Sequence, residues 1–274
     1  MKFGVFADLH YADKENDTER FFQNAPEKLK RCIQFFQKEK VDFMICLGDL
    51  LDIGKGKAGQ KQRLMELYKI IGDSEIPFYL CLGNHDIDAL PCQEILAAFL
   101  PGQERGYYSF DRGRFHFTVL DTNYDAAGKH YQEETMKWDR LYVSEEQLDW
   151  LLEDLKGIEK QTIILTHGNL DERTRNGEMD PHVVKNQEAV RKILQENGQV
   201  LAVLQGHCHA GAFSVEKGIP YLTLKALVDG KRKDTNPAWD NRRAGRRDAA
   251  KVSGSGRRGA ESGILYFPEM RMTE

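Results

Sequence analysis

Asp42-Phe43-Met44-Ile45-Cys46-Leu47-Gly48-Asp49 decides how this chain is read. The apolar run through Leu47 describes a short buried strand, and a glycine followed by a carboxylate ends it. The same arrangement recurs along the chain. Residues 3–7 run into Asp8-Leu9-His10, with Tyr11-Ala12-Asp13 behind. Residues 77–82 run into Gly83-Asn84-His85-Asp86, and 161–166 into His167-Gly168. Residues 200–204 precede Gly206-His207-Cys208-His209. Carboxylates, imidazoles and one amide thus gather at strand ends, where a chain turns to the surface.

The segments between the strands set the topology. Residues 18–38 carry Phe21, Phe22, Leu29, Cys32, Ile33 and Phe36 at mostly helical spacing, and 60–72 carry Leu64, Leu67, Tyr68 and Ile71 on one face. Strand, helix, strand, helix, strand predicts a parallel sheet covered by helices. Further on, 106–110 and 115–120 flank Asp111-Arg112-Gly113-Arg114, a hairpin turn. Residues 122–143 read as a long loop. Ser144 starts a helix with Leu148, Leu151, Leu152 and Leu155, and 186–197 form another. Strands are expected at 212–215 and 221–224.

At 274 residues and 41% apolar content the chain can bury a core for one large or two small domains. The net charge of −4 gives no reason to expect a polyanion partner. No run reaches the roughly 18 apolar residues that span a bilayer. Met1-Lys2-Phe3-Gly4-Val5 enters the first strand at once and is read as carrying no signal peptide. The five cysteines are scattered and odd in number, which favours a reducing cytoplasm. Residues 231–274 differ: 11 Lys+Arg stand against 6 Asp+Glu, among Gly, Ala and Ser. The expected division is a domain over 1–230 and a basic tail over 231–274, disordered over much of 231–260, with 264–267 able to form a strand.

Each cluster alone has an ordinary reading. Asp8 and His10 could cap a strand end, Gly83-Asn84 could be an Asx turn, and His167 a satisfied histidine. Together they weigh more, because five of eight histidines occupy strand ends beside Gly, Asp or Asn. In an extended segment residues i and i+2 share a side, so Asp8 and His10 can grip one ion, and His207 and His209 repeat the spacing. Oxygen and nitrogen donors without thiolate suit two divalent metals, and such a site suits phosphate-ester hydrolysis. His116, inside an apolar strand, reads as structural.

The ordered set resembles the calcineurin-like metallophosphoesterase superfamily, with its D-x-H, G-D, G-N-H, H and G-H-x-H motifs, over residues 1–230. More loosely, several stretches resemble the manganese-dependent ADP-ribose/CDP-alcohol diphosphatase group. These are Gly4-Val5-Phe6-Ala7-Asp8 with Tyr11-Ala12-Asp13, Tyr107-Tyr108-Ser109-Phe110, Leu120-Asp121-Thr122-Asn123-Tyr124 and Asp180-Pro181-His182 before a helix. His10 departs from that group, where Gln is expected, and follows the wider superfamily.

The resemblance implies a four-layer αββα sandwich of two mixed sheets with flanking helices and a dinuclear metal site at strand ends. It implies that Asp8, His10 and His209 hold one metal, that Asn84, His167 and His207 hold the other, and that Asp49 bridges both. The ions would be Mn²⁺ and/or Fe, or Zn²⁺, about 3.5–4 Å apart, activating a hydroxide that attacks phosphorus. His85 would serve the leaving oxygen, oriented by Asp52, with Asp86 as the rival for that role. The substrate expected is a small nucleotide-like phosphodiester or diphosphate, contacted by Asn123, Tyr124 and His182. Tyr124, Tyr131, Trp138 and Tyr142 could wall a pocket and stack a ring. The alternatives are a phosphomonoesterase, or a non-catalytic binding protein, though the latter would have lost ligands that this chain keeps. Nucleic acid is suggested only by the tail, and the acidic body argues against it.

Overall fold

A computed structural model of the protein describes residues 1–230 and 265–266. The first half alternates as expected. β1 (Phe3–Phe6), β2 (Phe43–Cys46) and β3 (Phe78–Leu80) pair in parallel, joined by α1 (Ala25–Glu39) and α2 (Lys57–Gly72). α1 begins later than its apolar pattern. Asp17 Oδ1 takes the amides of Glu19 and Arg20 into a turn, a 3₁₀ turn covers Phe22–Asn24, and Pro26 sets the first α-helical turn. Two helices were not anticipated, α3 (Asn84–Ala89) and α4 (Cys92–Phe99). α4 buries Ile95, Leu96 and Phe99.

The second half builds a six-stranded sheet. It comprises β4 (Tyr108–Arg112), β5 (Phe115–Leu120), β6 (Gln161–Thr166), β9 (Val200–Gln205), β10 (Ala210–Glu216) and β11 (Ile219–Lys225). Its order is β10-β11-β9-β6-β5-β4, parallel in the middle and antiparallel at both ends. β7 (Thr174–Arg175) and β8 (Glu178–Met179) form a separate small hairpin. α5 (Glu145–Leu155) starts at Ser144, whose Oγ accepts the Gln147 amide at 3.2 Å, and α6 is Gln187–Asn197.

The two sheets meet through aromatic rings. Phe3 and Phe43 of the first each set a ring edge on Phe117 of the second at 5.4 Å, and Tyr79 stacks on Phe110 at 3.6 Å. On the outer face of β1, the Phe36 ring of α1 occupies the space where a Cβ on Gly4 would be, 2.4 Å away. That contact requires glycine. The result is the expected αββα sandwich of two mixed sheets. β12 (Leu265–Tyr266) pairs antiparallel with β1 on the edge of the four-stranded sheet, and lies within the stretch 264–267 expected to form a strand. The disorder expected over 231–260 falls on residues outside those described. Among the described residues no helix is long and apolar enough to cross a membrane.

Candidate metal centre

The strand ends converge because the loops after them are tied together by backbone. Asp8, His10 and Tyr11 donate their amides to the carbonyls of Gly48, Asp49 and Leu50 at 3.0, 2.8 and 2.9 Å. The fully buried Asp86 carboxylate accepts the amides of Asp49, Leu51 and Gly83 at 2.9, 2.9 and 3.0 Å. Gly83 lies so close to the second loop that a Cβ there would stand 2.2 Å from the Asp49 nitrogen. Asp86 therefore holds loops and does not orient His85.

Four of the seven predicted ligands sit at positive φ: Asp8 (56°), His10 (49°), Asp49 (54°) and His207 (69°). The expectation that Asp8 and His10 share one side of an extended segment is thus corrected. Left-handed turns, not strand alternation, aim these side chains. Such conformations cost about 1–3 kcal/mol each and persist where surrounding structure imposes them, here the inter-loop bonds.

The side chains then form two groups around one carboxylate. Ligand atoms of Asp8, His10 and His209 lie within 4.8 Å of one another, as do those of Asp49, His167 and His207. Asp49 Oδ2 is 3.4 Å from His10 Nε2 and 3.3 Å from His167 Nε2, so it faces both groups. Asn84 Oδ1 is 3.1 Å from His167 Nε2. All seven are brought together.

The outer ring atoms decide which nitrogens face inward. His167 Nδ1 donates to the Leu47 carbonyl at 2.7 Å, which turns Nε2 toward Asp49 and Asn84. His207 Nε2 donates to the Trp138 carbonyl at 3.1 Å, which turns Nδ1 inward. His209 Nδ1 faces Asp229 Oδ1 at 3.2 Å, and His10 Nδ1 lies 3.3 Å from Asp52 Oδ2. His10 Nε2 and His209 Nε2 consequently confront each other at 3.0 Å. His209 is held on its far side, and His10 Nδ1 faces Asp52 without a hydrogen bond; a cation between the two Nε2 atoms would satisfy both. The donor set fits Mn²⁺, Fe or Zn²⁺.

Electrostatics point the same way. Burial alone would raise the Asp49 carboxyl, but His167, His85 and His10 outweigh it and hold it well below the usual carboxylate range. Asp52 is held low in the same manner by His10 and His85. Burial pushes His10 down to about 4 and His207 also well down, which keeps both rings in the neutral, ligating form. His167 and Asp8 go the other way: despite burial the Asp49 carboxylate raises His167 to about 9, and burial raises Asp8 to about 6, so a cation bound here would displace protons from both.

His85 stands at the rim with its side chain 29% exposed. Its Nδ1 meets Asp52 Oδ1 at 3.0 Å, its amide donates to Asp49 Oδ1 at 2.8 Å, and its ring edge meets His10 at 4.6 Å. Lys14 Nζ also donates to Asp52 Oδ1, at 2.8 Å.

The substrate-contact expectations divide. His182 reaches the centre, its ring 5.0 Å from His207 and 5.3 Å from Trp138, with Nδ1 held by Asp180 at 2.6 Å. Asn123 does not offer a contact surface. It is fully buried and spends its amide on the Leu82 carbonyl and Asp121. Tyr124 lays its ring against His130 at 4.9 Å, and Tyr131 is buried with its hydroxyl on the Arg140 carbonyl. Of the four loop aromatics, Trp138 is the one set against a ligand histidine, 47% exposed and 6.1 Å from the His207 ring. Sequence reasoning missed Asp229, Lys14 and the Leu47 and Trp138 carbonyls. Of these Asp229 carried a signal, since Val228-Asp229-Gly230 repeats the carboxylate-and-glycine ending of the other strands.

The chain is 25% identical over 275 residues to the manganese-dependent ADP-ribose/CDP-alcohol diphosphatase of Arabidopsis thaliana, covering 84% of this chain and 86% of that one. It is 24% identical over 237 residues to the serine/threonine-protein phosphatase CPPED1 of Pongo abelii, covering 82% and 72%. A dimetal phosphatase from Danio rerio has the same fold, with a TM-score of 0.70 at 20% identity over 83% of this chain and 88% of that one. The family model for calcineurin-like phosphoesterases matches residues 1–211. That span includes all seven predicted ligands and His85, and the chain belongs to the calcineurin-like phosphoesterase family.

Proposed function

We propose that this metal-dependent phosphohydrolase cleaves a phosphodiester or diphosphate bond in a small nucleotide-like substrate. In this reading Asp8, His10 and His209 hold one ion, Asn84, His167 and His207 the other, and Asp49 serves both. Two such ions supply Lewis acidity and a water whose pKa is lowered toward 7. The residues of the chain do the rest. Asp52 fixes the His85 ring through Nδ1, so Nε2 is the atom left to give a proton to a leaving oxygen at the rim. Leu47, Trp138 and Asp229 keep three ligand rings from turning.

The observation that favours a nucleotide-like substrate over a simple monoester is Trp138. Its carbonyl is bonded to a ligand histidine, so its half-exposed indole cannot stray far from the reacting phosphate. His182 stands beside it. A base or ring stacked there gains binding that a small monoester cannot use. The relatives' substrate classes, ADP-ribose and CDP-alcohols, are of this kind. The test is hydrolysis of ADP-ribose, a CDP-alcohol, a nucleoside monophosphate and nitrophenyl phosphate with Mn²⁺ present. Trp138→Ala should raise KM for the nucleotide diphosphates roughly 5- to 150-fold, the equivalent of about 1–3 kcal/mol of stacking, and leave nitrophenyl phosphate unchanged. An equal loss on all substrates would show that the loop positions His207 and binds no base.

A further inference from the structure

Lys28 lies on α1, 1% exposed, away from the two ligand groups. Its Nζ donates to three successive backbone carbonyls, those of Leu227 at 2.9 Å, Val228 at 2.6 Å and Asp229 at 2.9 Å. An ammonium has three donors, and all are used. Burying a charge is costly, and a methionine would fill similar space without that cost. What the three carbonyls belong to explains the choice.

Segment 226–229 runs between two parts of the first ligand group. Leu227 and Val228 donate their amides to the carbonyls of Ala7 and Asp8, both at 2.9 Å, and Ala226 donates to the His209 carbonyl at 3.1 Å. At its end the Asp229 carboxylate meets His209 Nδ1 at 3.2 Å. The Asp229 side chain is 28% exposed, so water competes for it and side-chain packing does not fix its aim. Its backbone does. Lys28 anchors the carbonyls of 227–229 to a 15-residue helix, and the Phe21 amide shares the Val228 carbonyl at 3.0 Å. Gly230 donates to the Glu19 carbonyl at 3.1 Å, and the amides of Leu227 and Val228 are anchored to the strand end and loop that bear Asp8.

We propose that Lys28 is a positioning residue for the first metal: through Asp229 it holds the His209 ring with Nε2 toward Asp8 and His10. This rests on the assignment of those three ligands to one ion. A carboxylate on the far nitrogen fixes a ligand ring and raises its basicity, and losing such a partner typically costs 10–100-fold in affinity or activity.

The test uses the full chain with Lys28→Met, Lys28→Arg, Asp229→Asn and the Lys28→Met/Asp229→Asn pair. Mn²⁺ titration of chelator-treated, dialysed protein reads the affinity of each site, and thermal melting of the chelated form reads the fold. Asp229→Asn should melt like the wild type when chelated, yet bind one of two ions 10–100-fold more weakly. Lys28→Met should weaken the same site and the double variant should be no weaker than the worse single, as expected for residues acting in series. Lys28→Arg keeps the charge, but a planar fork cannot serve three converging carbonyls as an ammonium does, so the same site should weaken even if Lys28→Met does not fold. Wild-type affinity at both sites in Asp229→Asn or in folded Lys28→Arg overturns the proposal, and so do losses that multiply in the pair. A wild-type protein that binds fewer than two ions overturns the ligand assignment itself, which is a distinguishable result.

Discussion

Asp49→Ala tests the centre most directly, because one oxygen faces both ligand groups. Asp49 Oδ2 lies 3.4 Å from His10 Nε2 and 3.3 Å from His167 Nε2, while Oδ1 accepts the His85 amide at 2.8 Å. Removal has three effects. Each ion loses an anionic ligand. Loss of a mere hydrogen-bonded neighbour of a ligand costs 10–100-fold, so the loss here is at least about 1.4–2.7 kcal/mol per ion, or about 3–5 kcal/mol for the pair. The partly buried His85 amide loses its acceptor, at up to about 1–3 kcal/mol. Alanine also takes the left-handed backbone at φ 54° less readily than aspartate. Asn84→Ala removes one neutral carbonyl from the second group alone. Metal analysis after desalting should therefore find close to two ions in the wild type, about one in Asn84→Ala and nearly none in Asp49→Ala. Asp49→Asn separates charge from backbone: it tolerates the turn and still accepts the His85 amide, so its melting should stay nearer the wild type while affinity falls at both sites. If Asp49→Ala keeps two ions, or loses only one, the carboxylate is not shared and the ligand grouping is wrong.

His85→Ala should keep both ions and lose roughly 10²-fold or more in kcat, as for a missing general acid. The loss should shrink for a nitrophenolate leaving group; equal impairment on good and poor leaving groups would assign His85 to holding phosphate. A pH effect on stability is expected from His116, whose Nε2 meets Asp154 at 3.1 Å and Nδ1 meets Asp111 at 2.8 Å. The Asp154 bond, with that of Asp111, raises its pKa above 6.5 despite burial. That contribution is full below pH 6.5 and is lost as pH rises through the folded-state value, so melting temperature should decline over this range in the wild type and less in His116→Gln. Parallel melting profiles would remove His116 from the account. A chain cut after Gly230 should retain both ions and most activity but melt lower, since it loses β12 from the edge of β1; a folded truncation without metal would show that residues beyond 230 build the site.

Legibility followed burial and length. The strands that carry the centre were visible because each is a short apolar run closed by glycine or a polar cluster, as in residues 43–49 and 161–168. Helix α5 was visible through its Ser144 cap and leucine spacing. α3 was not, since its six residues Asn84–Ala89 are too few to show a period and overlap the ligand cluster. The start of α1 was misplaced because Phe21 and Phe22 continue the apolar pattern while Pro26 and the Asp17 turn set the backbone. The donors that the fold brings together were readable from residue type and order, but not the way they are aimed. Asp8 and His10 looked like alternating strand residues and are left-handed turns. The carbonyls of Leu47 and Trp138 could not be found at all, because every residue has a carbonyl and only folding selects which one meets an imidazole.

The left-handed ligands bear on any attempt to transplant this centre. Aspartate, asparagine and histidine are enriched among the few non-glycine residues found at positive φ. At Asp8, His10, Asp49 and His207 the turn and the coordination chemistry therefore select the same residues. Reach alone would often accept glutamate for aspartate, but the backbone at these points is a second filter. A protein engineer who copied seven side chains onto regular strand ends of a new scaffold would reproduce the donor list and miss the aim of four of them. The unit to graft is the set of interlocked loops, with Gly83 and Asp86 included, although neither is predicted to touch a metal.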